Sequence, residues 1–152
     1  MRSTAILLAV FGVAALLPAT ASADGQCEFD IDSDDTMQFD TNEMTIAADC
    51  DEVTVNLTHS GDLGVEQMGH NWVVVESDDL QAVDDAGNDA GLDHDYLPED
   101  REGVIAATEM IGGGEETSVT FDADKLESGG DYTFFCSFPG HSGPMQGDVN
   151  VL

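Results

Sequence analysis

The chain has 152 residues, with 32 Asp+Glu against 3 Lys+Arg, a formal charge of −29, and 41% apolar residues. That charge excludes binding to nucleic acid through phosphates and electrostatic docking on anionic lipid, both of which need clustered Lys and Arg. The apolar fraction excludes a charged disordered tail, and the length fits one domain with its own core.

Arg2, the apolar run Ala5 to Leu17, Pro18 and Ala21-Ser22-Ala23 give the charged, apolar and cleavage-site order of a secretory signal over residues 1–23. The run of 13 residues is too short to span a bilayer comfortably. No Cys follows the cleavage point to carry a lipid. A mature chain, residues 24–152, is expected outside the cytoplasm, in the periplasm, where disulfides persist. Removal of a leader holding one of the 3 Lys+Arg and none of the 32 Asp+Glu leaves −30. The acids are spread along the chain, from Asp30, Asp32, Asp34 and Asp35 through Asp84, Asp85 and Asp89 to Asp148. Their repulsion opposes compaction at low salt and is screened at about 1 M, where the Debye length is about 3 Å. Such a surface suits a saline medium; the other reading is a cationic partner.

The mature segment reads as short strands. Cys27 to Ile31 alternates. Asp30-x-Asp32-x-Asp34 resembles the start of a calcium loop, but Asp35 stands where Gly is needed and Thr41 where Glu is needed, so it is not an EF-hand. Glu52 to His59 puts Val53, Val55, Leu57 and His59 on one face and Thr54, Asn56 and Thr58 on the other. The sequon Asn56-Leu57-Thr58 falls inside that strand. His70 to Val75 is a continuous apolar run, as in a strand covered on both faces. Asp78 to Leu92 carries Leu80, Val83 and Ala86 at spacings of three, which predicts a short helix capped by Ser77 or Asp78 and ended by Gly87. Asn88 to Gly103 reads as an acidic connection. Gly112-Gly113-Gly114 lacks a following Lys-Ser/Thr and reads as a turn. Thr117 to Phe121, Asp131 to Cys136 and Asp148 to Leu152 complete the strands. The pattern predicts a two-sheet antiparallel sandwich with one inserted helix at an edge.

Three cysteines in an exported chain leave one over. The economical division is a Cys27–Cys50 disulfide, stabilising by roughly 3 kcal/mol, with Cys136 free. A free thiol in an oxidising compartment is a liability unless it is buried or held by a metal. Cys136 opens the segment Cys136-Ser137-Phe138-Pro139-Gly140-His141-Ser142-Gly143-Pro144-Met145, on a loop between two predicted strands. His70 lies upstream in Met68-Gly69-His70-Asn71-Trp72. A thiolate, two imidazoles and a thioether suit copper in a His₂Cys plane with a long axial Met. Zinc is the competing metal, since thiolate and imidazole also hold it; the Met favours copper. His94, in Asp93-His94-Asp95, reads as a solvated loop residue.

Cys-x4-His-x3-Met with the upstream Gly-His-Asn resembles the azurins, small exported cupredoxins of the type 1 blue-copper class. The resemblance covers nearly the whole mature segment. It runs through Met37-Gln38-Phe39, Cys50, Val53 to Leu57, Met68 to Val73, Gly91-Leu92-Asp93, Asp95-Tyr96-Leu97, Val104-Ile105-Ala106, Ser118 to Asp122, Phe134-Phe135-Cys136 and Phe138 to Ser142. It implies an all-β, two-sheet Greek-key cupredoxin sandwich of about eight strands with one short helix. His70, Cys136 and His141 would be the strong ligands of one copper, Met145 the long axial ligand, and the Gly69 carbonyl the opposite axial group. Asn71 would tie the ligand loops together, and the backbone N–H groups of Asn71 and Phe138 would point at the Cys136 sulfur. The chain departs from the azurin pattern in its near-absence of lysines, in Pro144 beside the axial Met and in Gln67 before Met68.

The resemblance implies a soluble electron carrier, not an enzyme, cycling Cu(I)/Cu(II) with electrons passing the His141 edge. The docking patch would be Met37, Leu63, Met68, Phe138, Pro139 and Pro144. Partners would be redox proteins such as c-type cytochromes or respiratory and denitrifying reductases, with no nucleic acid, no membrane insertion and a monomeric carrier. The alternative is a copper-sequestering or copper-delivery protein using the same ligands. His59 has two readings: a hydrogen-bonded core residue, or a protonation site coupled to the copper charge.

Overall fold

Alternation in one strand sets the layering. In β3 (Glu52–His59), Val53, Val55, Leu57 and His59 are buried and the intervening residues face outward. Burying each of the three aliphatic side chains contributes about 1.5–3 kcal/mol. The computed structural model describes residues 25–152, so the secretory signal assigned to residues 1–23 lies outside the described residues.

β3 is the centre of a three-stranded sheet, between β1 (Glu28–Ser33) and β6 (Glu116–Asp122). The second sheet has five strands in the order β2 (Glu43–Ile46), β8 (Gln146–Val151), β7 (Tyr132–Phe135), β4 (Val73–Glu76) and β5 (Ala106–Ala107). The core lies between the sheets and joins Ile31, Val53, Val55 and Leu57 to Met44, Ile46, Trp72, Phe134 and Val149. Trp72 is its largest member, with Phe134 and Phe121 stacked at ring centroids of 6.2 and 6.3 Å.

Two features correct the sequence reading. The sheets are mixed, because β1 pairs β3 in parallel and β2 pairs β8 in parallel. The strands β2 and β5, four and two residues long, were not predicted.

The helical segment sits as expected but ends differently. A single turn, α1 (Val65–Met68), precedes the strand β4, and α2 (Leu80–Ala90) follows it. α2 covers the outer face of the five-stranded sheet through Val83, which packs with Val73, Val75, Leu97 and Phe135. This second cover explains the unbroken apolar run of Val73 to Val75. Gly87 does not end the helix. A Cβ there would collide with the Tyr96 carbonyl, so the glycine permits close approach. The end comes at Gly91, with φ +78°. Ser77 and Asp78 lie in a preceding 3-10 turn, and neither side chain caps α2; the Ser77 hydroxyl donates to Asp131 Oδ1 at 2.7 Å instead. Cys27 and Cys50 form a disulfide. No helix among the described residues is long and apolar enough to cross a membrane.

Candidate metal centre

The strands β4 and β7 pair antiparallel with Val73 opposite Phe135, so His70, just before β4, and Cys136, just after β7, emerge at the same end of the sheet. His70 is fixed by a two-way backbone bridge to Ile111, both bonds 2.9 Å. Cys136 N–H donates to the Met145 carbonyl at 3.0 Å, which closes the loop that carries His141. Within the loop, His141 N–H donates to the Phe138 carbonyl and Met145 N–H to the His141 carbonyl, at 2.9 and 2.8 Å. Gly140 takes φ +82° at the turn, a conformation that favours glycine.

These elements converge three buried groups. Nδ1 of His70 and Nδ1 of His141 each lie 3.7 Å from Cys136 Sγ. The three ligand atoms lie within 4.8 Å of one another. One ion bonded at about 2.3 Å to sulfur and about 2.0 Å to nitrogen, near 120°, needs a sulfur–nitrogen separation of about 3.7 Å. The triangle therefore fits a single metal. His70 Nε2 donates to the Asp34 carbonyl at 2.8 Å, which sets the tautomer and turns the Nδ1 lone pair toward the sulfur. The His141 ring packs on Phe138, with centroids 4.6 Å apart.

Burial governs the protonation of all three. It pushes the Cys136 thiol up to about 12, although the backbone N–H groups of Asn71 and Phe138 donate to the sulfur and pull the other way. Burial lowers His141 to about 4, with a further contribution from His70. Burial also lowers His70, against the opposing hydrogen bond to Asp34. Without a metal the pocket is a neutral thiol beside two neutral imidazoles whose lone pairs are free to bind.

The surrounding residues lock this geometry. Asn71 Oδ1 accepts from Ser137 N–H at 2.9 Å, while its Nδ2 donates to the Asp95 carbonyl at 3.0 Å and to Ser137 Oγ at 2.8 Å. Asp95, at φ +58°, also accepts from Met110 N–H at 2.9 Å. Ser137 and Asp95 were given no role from the sequence. Ser137 had no signal beyond its place in the loop; Asp95 belongs to a type that tolerates the left-handed region. The Gly69 carbonyl oxygen lies 3.9 Å from Cys136 Sγ, and a Cβ on Gly69 would come 2.6 Å from the Val65 carbonyl. Met145 is fully buried and packs with Met110, Cys136 and Phe138.

His59 is buried behind the site. Its Nε2 donates to the Met68 carbonyl at 2.8 Å and its Nδ1 accepts from Gly61 N–H at 3.1 Å, an arrangement that fits the neutral ring. Around the rim, Met37 and Leu63 are exposed at 38% and 39%. Pro139 and Pro144 are exposed and Met68 is half-buried. Phe138 departs from its expected place in a surface patch: it is buried under the loop, wedged between His141 and Tyr96.

A two-sheet β sandwich whose buried Cys and two His converge at one end of a sheet is a cupredoxin-type metal protein. The profile of the copper-binding proteins, plastocyanin/azurin family, matches residues 25–152, and the chain belongs to that family. It is 47% identical over 144 residues to the azurin of Pseudomonas aeruginosa, covering 95% of this chain and 97% of that one. It is 52% identical over 124 residues to the azurin of Pseudomonas chlororaphis, covering 82% and 97%. Against azurin-1 of Alcaligenes xylosoxydans xylosoxydans it is 50% identical over 127 residues, covering 84% and 98%.

Proposed function

We propose that this protein is an exported, periplasmic single-electron carrier whose mature form is residues 24–152. The observation that carries the reading is the buried Cys136, His70 and His141 triangle, with 3.7 Å between the sulfur and each imidazole nitrogen. Copper bound there supplies a one-electron couple. His70, Cys136 and His141 are the strong ligands in this reading. Met145 and the Gly69 carbonyl would be the copper's weaker partners.

The chain's own residues hold the site still. The Asn71–Ser137–Asp95 bonds fix one ligand loop to the other, and buried packing excludes water from the thiolate. A site that barely rearranges between oxidation states moves electrons readily, which favours a carrier over a store. Electrons pass the His141 side, across a rim that includes Met37, Leu63, Met68, Pro139 and Pro144. Redox proteins such as c-type cytochromes or respiratory reductases dock there on a monomer, through a small interface of the kind weak electron-transfer complexes use.

The test is an optical spectrum of the purified mature protein with Cu(II), then with ascorbate. An intense thiolate-to-copper band that bleaches on reduction supports the reading. A colourless protein that takes zinc but gives no Cu(II) chromophore removes it. Slow electron self-exchange in a blue protein would turn the assignment to copper storage.

A further inference from the structure

Most of the 32 carboxylates need no explanation beyond solvation, but Asp84 does. It lies on α2 and is 7% exposed. Oδ2 accepts from the Ser142 hydroxyl at 2.9 Å, and Ser142 directly follows His141. Oδ1 is buried and has no hydrogen-bond partner among the described residues. The Asp84 main-chain carbonyl accepts from Asn88 Nδ2 at 2.8 Å, so the backbone around it is held. A buried carboxylate with one hydrogen bond is costly unless something makes use of it.

We propose that Asp84 is a positioning residue that anchors the His141 loop to α2 and carries the charge that sets the reduction potential of the centre. The proposal rests on the electron-carrier reading. The anchoring is direct, because the Ser142–Asp84 bond links the ligand loop to a helix packed on the sheet that carries β4 and β7. The charge acts through space. Ionised Asp84 raises the Cys136 thiol, so its field reaches the sulfur. A negative charge there stabilises the oxidised, more positive centre and lowers the potential.

The charged and titratable groups bearing on Asp84 are Asp85 on its own helix and Cys136 at the end of β7. No cation among the described residues answers it: Arg101 sits 3.8 Å from Asp95, and Lys125 lies in the turn after β6. Burial raises the Asp84 carboxyl, the Ser142 bond opposes this, and Asp85 adds to it. Across the pH window where Asp84 titrates, an electron delivered by a redox partner is accompanied by up to one proton taken from water onto the carboxylate. The proton is returned when the electron leaves.

The experiment compares the copper-loaded protein with Asp84→Asn and Ser142→Ala, measuring midpoint potential against pH. The Asn amide still accepts from Ser142, so anchoring survives while the charge is lost. The expected result is a higher potential for Asp84→Asn at pH 7, equal to wild type at acid pH, with the carboxylate step removed. Ser142→Ala should move that step to higher pH, because it removes the bond that favours the ionised form. Metal-free protein gives an independent readout. A carboxyl raised by burial opposes folding once it ionises, so Asp84→Asn should gain melting temperature at pH 7 and lose that gain as pH falls toward about 4. An unchanged potential, or a shift equal at every pH, overturns the proposal. Absence of any reversible one-electron couple in the wild type removes the carrier reading and this proposal with it, while the metal-free melts still report the Asp84 charge.

Discussion

The imidazole of His59 stacks on that of His70, with ring centroids 4.5 Å apart and planes 26° from parallel. A buried ring with both nitrogens bonded thus lies directly behind one that faces the sulfur. His59→Gln is expected to broaden the visible band of the copper-loaded protein, because His70 loses the ring it stacks on. A spectrum identical to wild type would leave His59 as a core residue only.

Copper uptake should release about one proton at pH 7. The thiol of the metal-free site is held up at about 12 and His141 is down at about 4, so the proton comes from sulfur and not from the imidazoles. Calorimetric titration in two buffers of different ionisation enthalpy measures it. The same shifts bound the metal-free protein. His141 is depressed in the fold, so its contribution is present above about 6.5 and is lost as pH falls toward about 4. Cys136 is raised, so its contribution is present below about 9 and is lost as pH rises toward about 12.

Asn71→Ala removes the bonds to Ser137 N–H and the Asp95 carbonyl and leaves both groups without that partner. The Asp95 carbonyl keeps the longer 3.3 Å bond from Ser137 Oγ, so Ser137 N–H is the orphaned group and a loss of about 1–3 kcal/mol is expected in urea unfolding. The loaded variant should also show a broadened visible band, because the loops are no longer tied.

The surface acidity predicts a melting temperature that rises between low and molar salt, as screening removes repulsion among the carboxylates. A melt insensitive to salt would show that the acids are spaced widely enough not to interact.

Under molar salt the apolar rim should dominate docking. Met68→Lys is expected to slow electron exchange with a partner several-fold while leaving the visible spectrum intact, since only the Met68 backbone carbonyl bonds to His59. Stopped-flow mixing with a cytochrome c checks this, and an unchanged rate would move the contact surface elsewhere.

The legible parts of the molecule were the local ones. Cys136, His141 and Met145 fall within one ten-residue loop, and the alternation of β3 names its buried face without knowledge of its neighbours. Strand direction is a different kind of fact. Whether β1 runs with or against β3 depends on where the intervening chain crosses, and no residue in either strand records it. β5 is two residues long, below the length at which period-two alternation has meaning. Gly87 was misread because a glycine needed for close packing on Tyr96 looks the same in a sequence as one that ends a helix. Asp84 was hidden among 32 acids, and only burial separates it from the rest.

The position of β8 has a consequence for biogenesis. It lies between β2 and β7, and its pairing Glu43↔Asp148 joins residues more than 100 positions apart. Neither neighbour can complete its ladder until this strand has arrived, and the metal loop ends one residue before it. The three-stranded sheet β1-β3-β6 is complete without it, but in a chain made from its N-terminus the five-stranded sheet stays open until the end. The last strand acts as a latch, closing that sheet and the copper pocket in the same event.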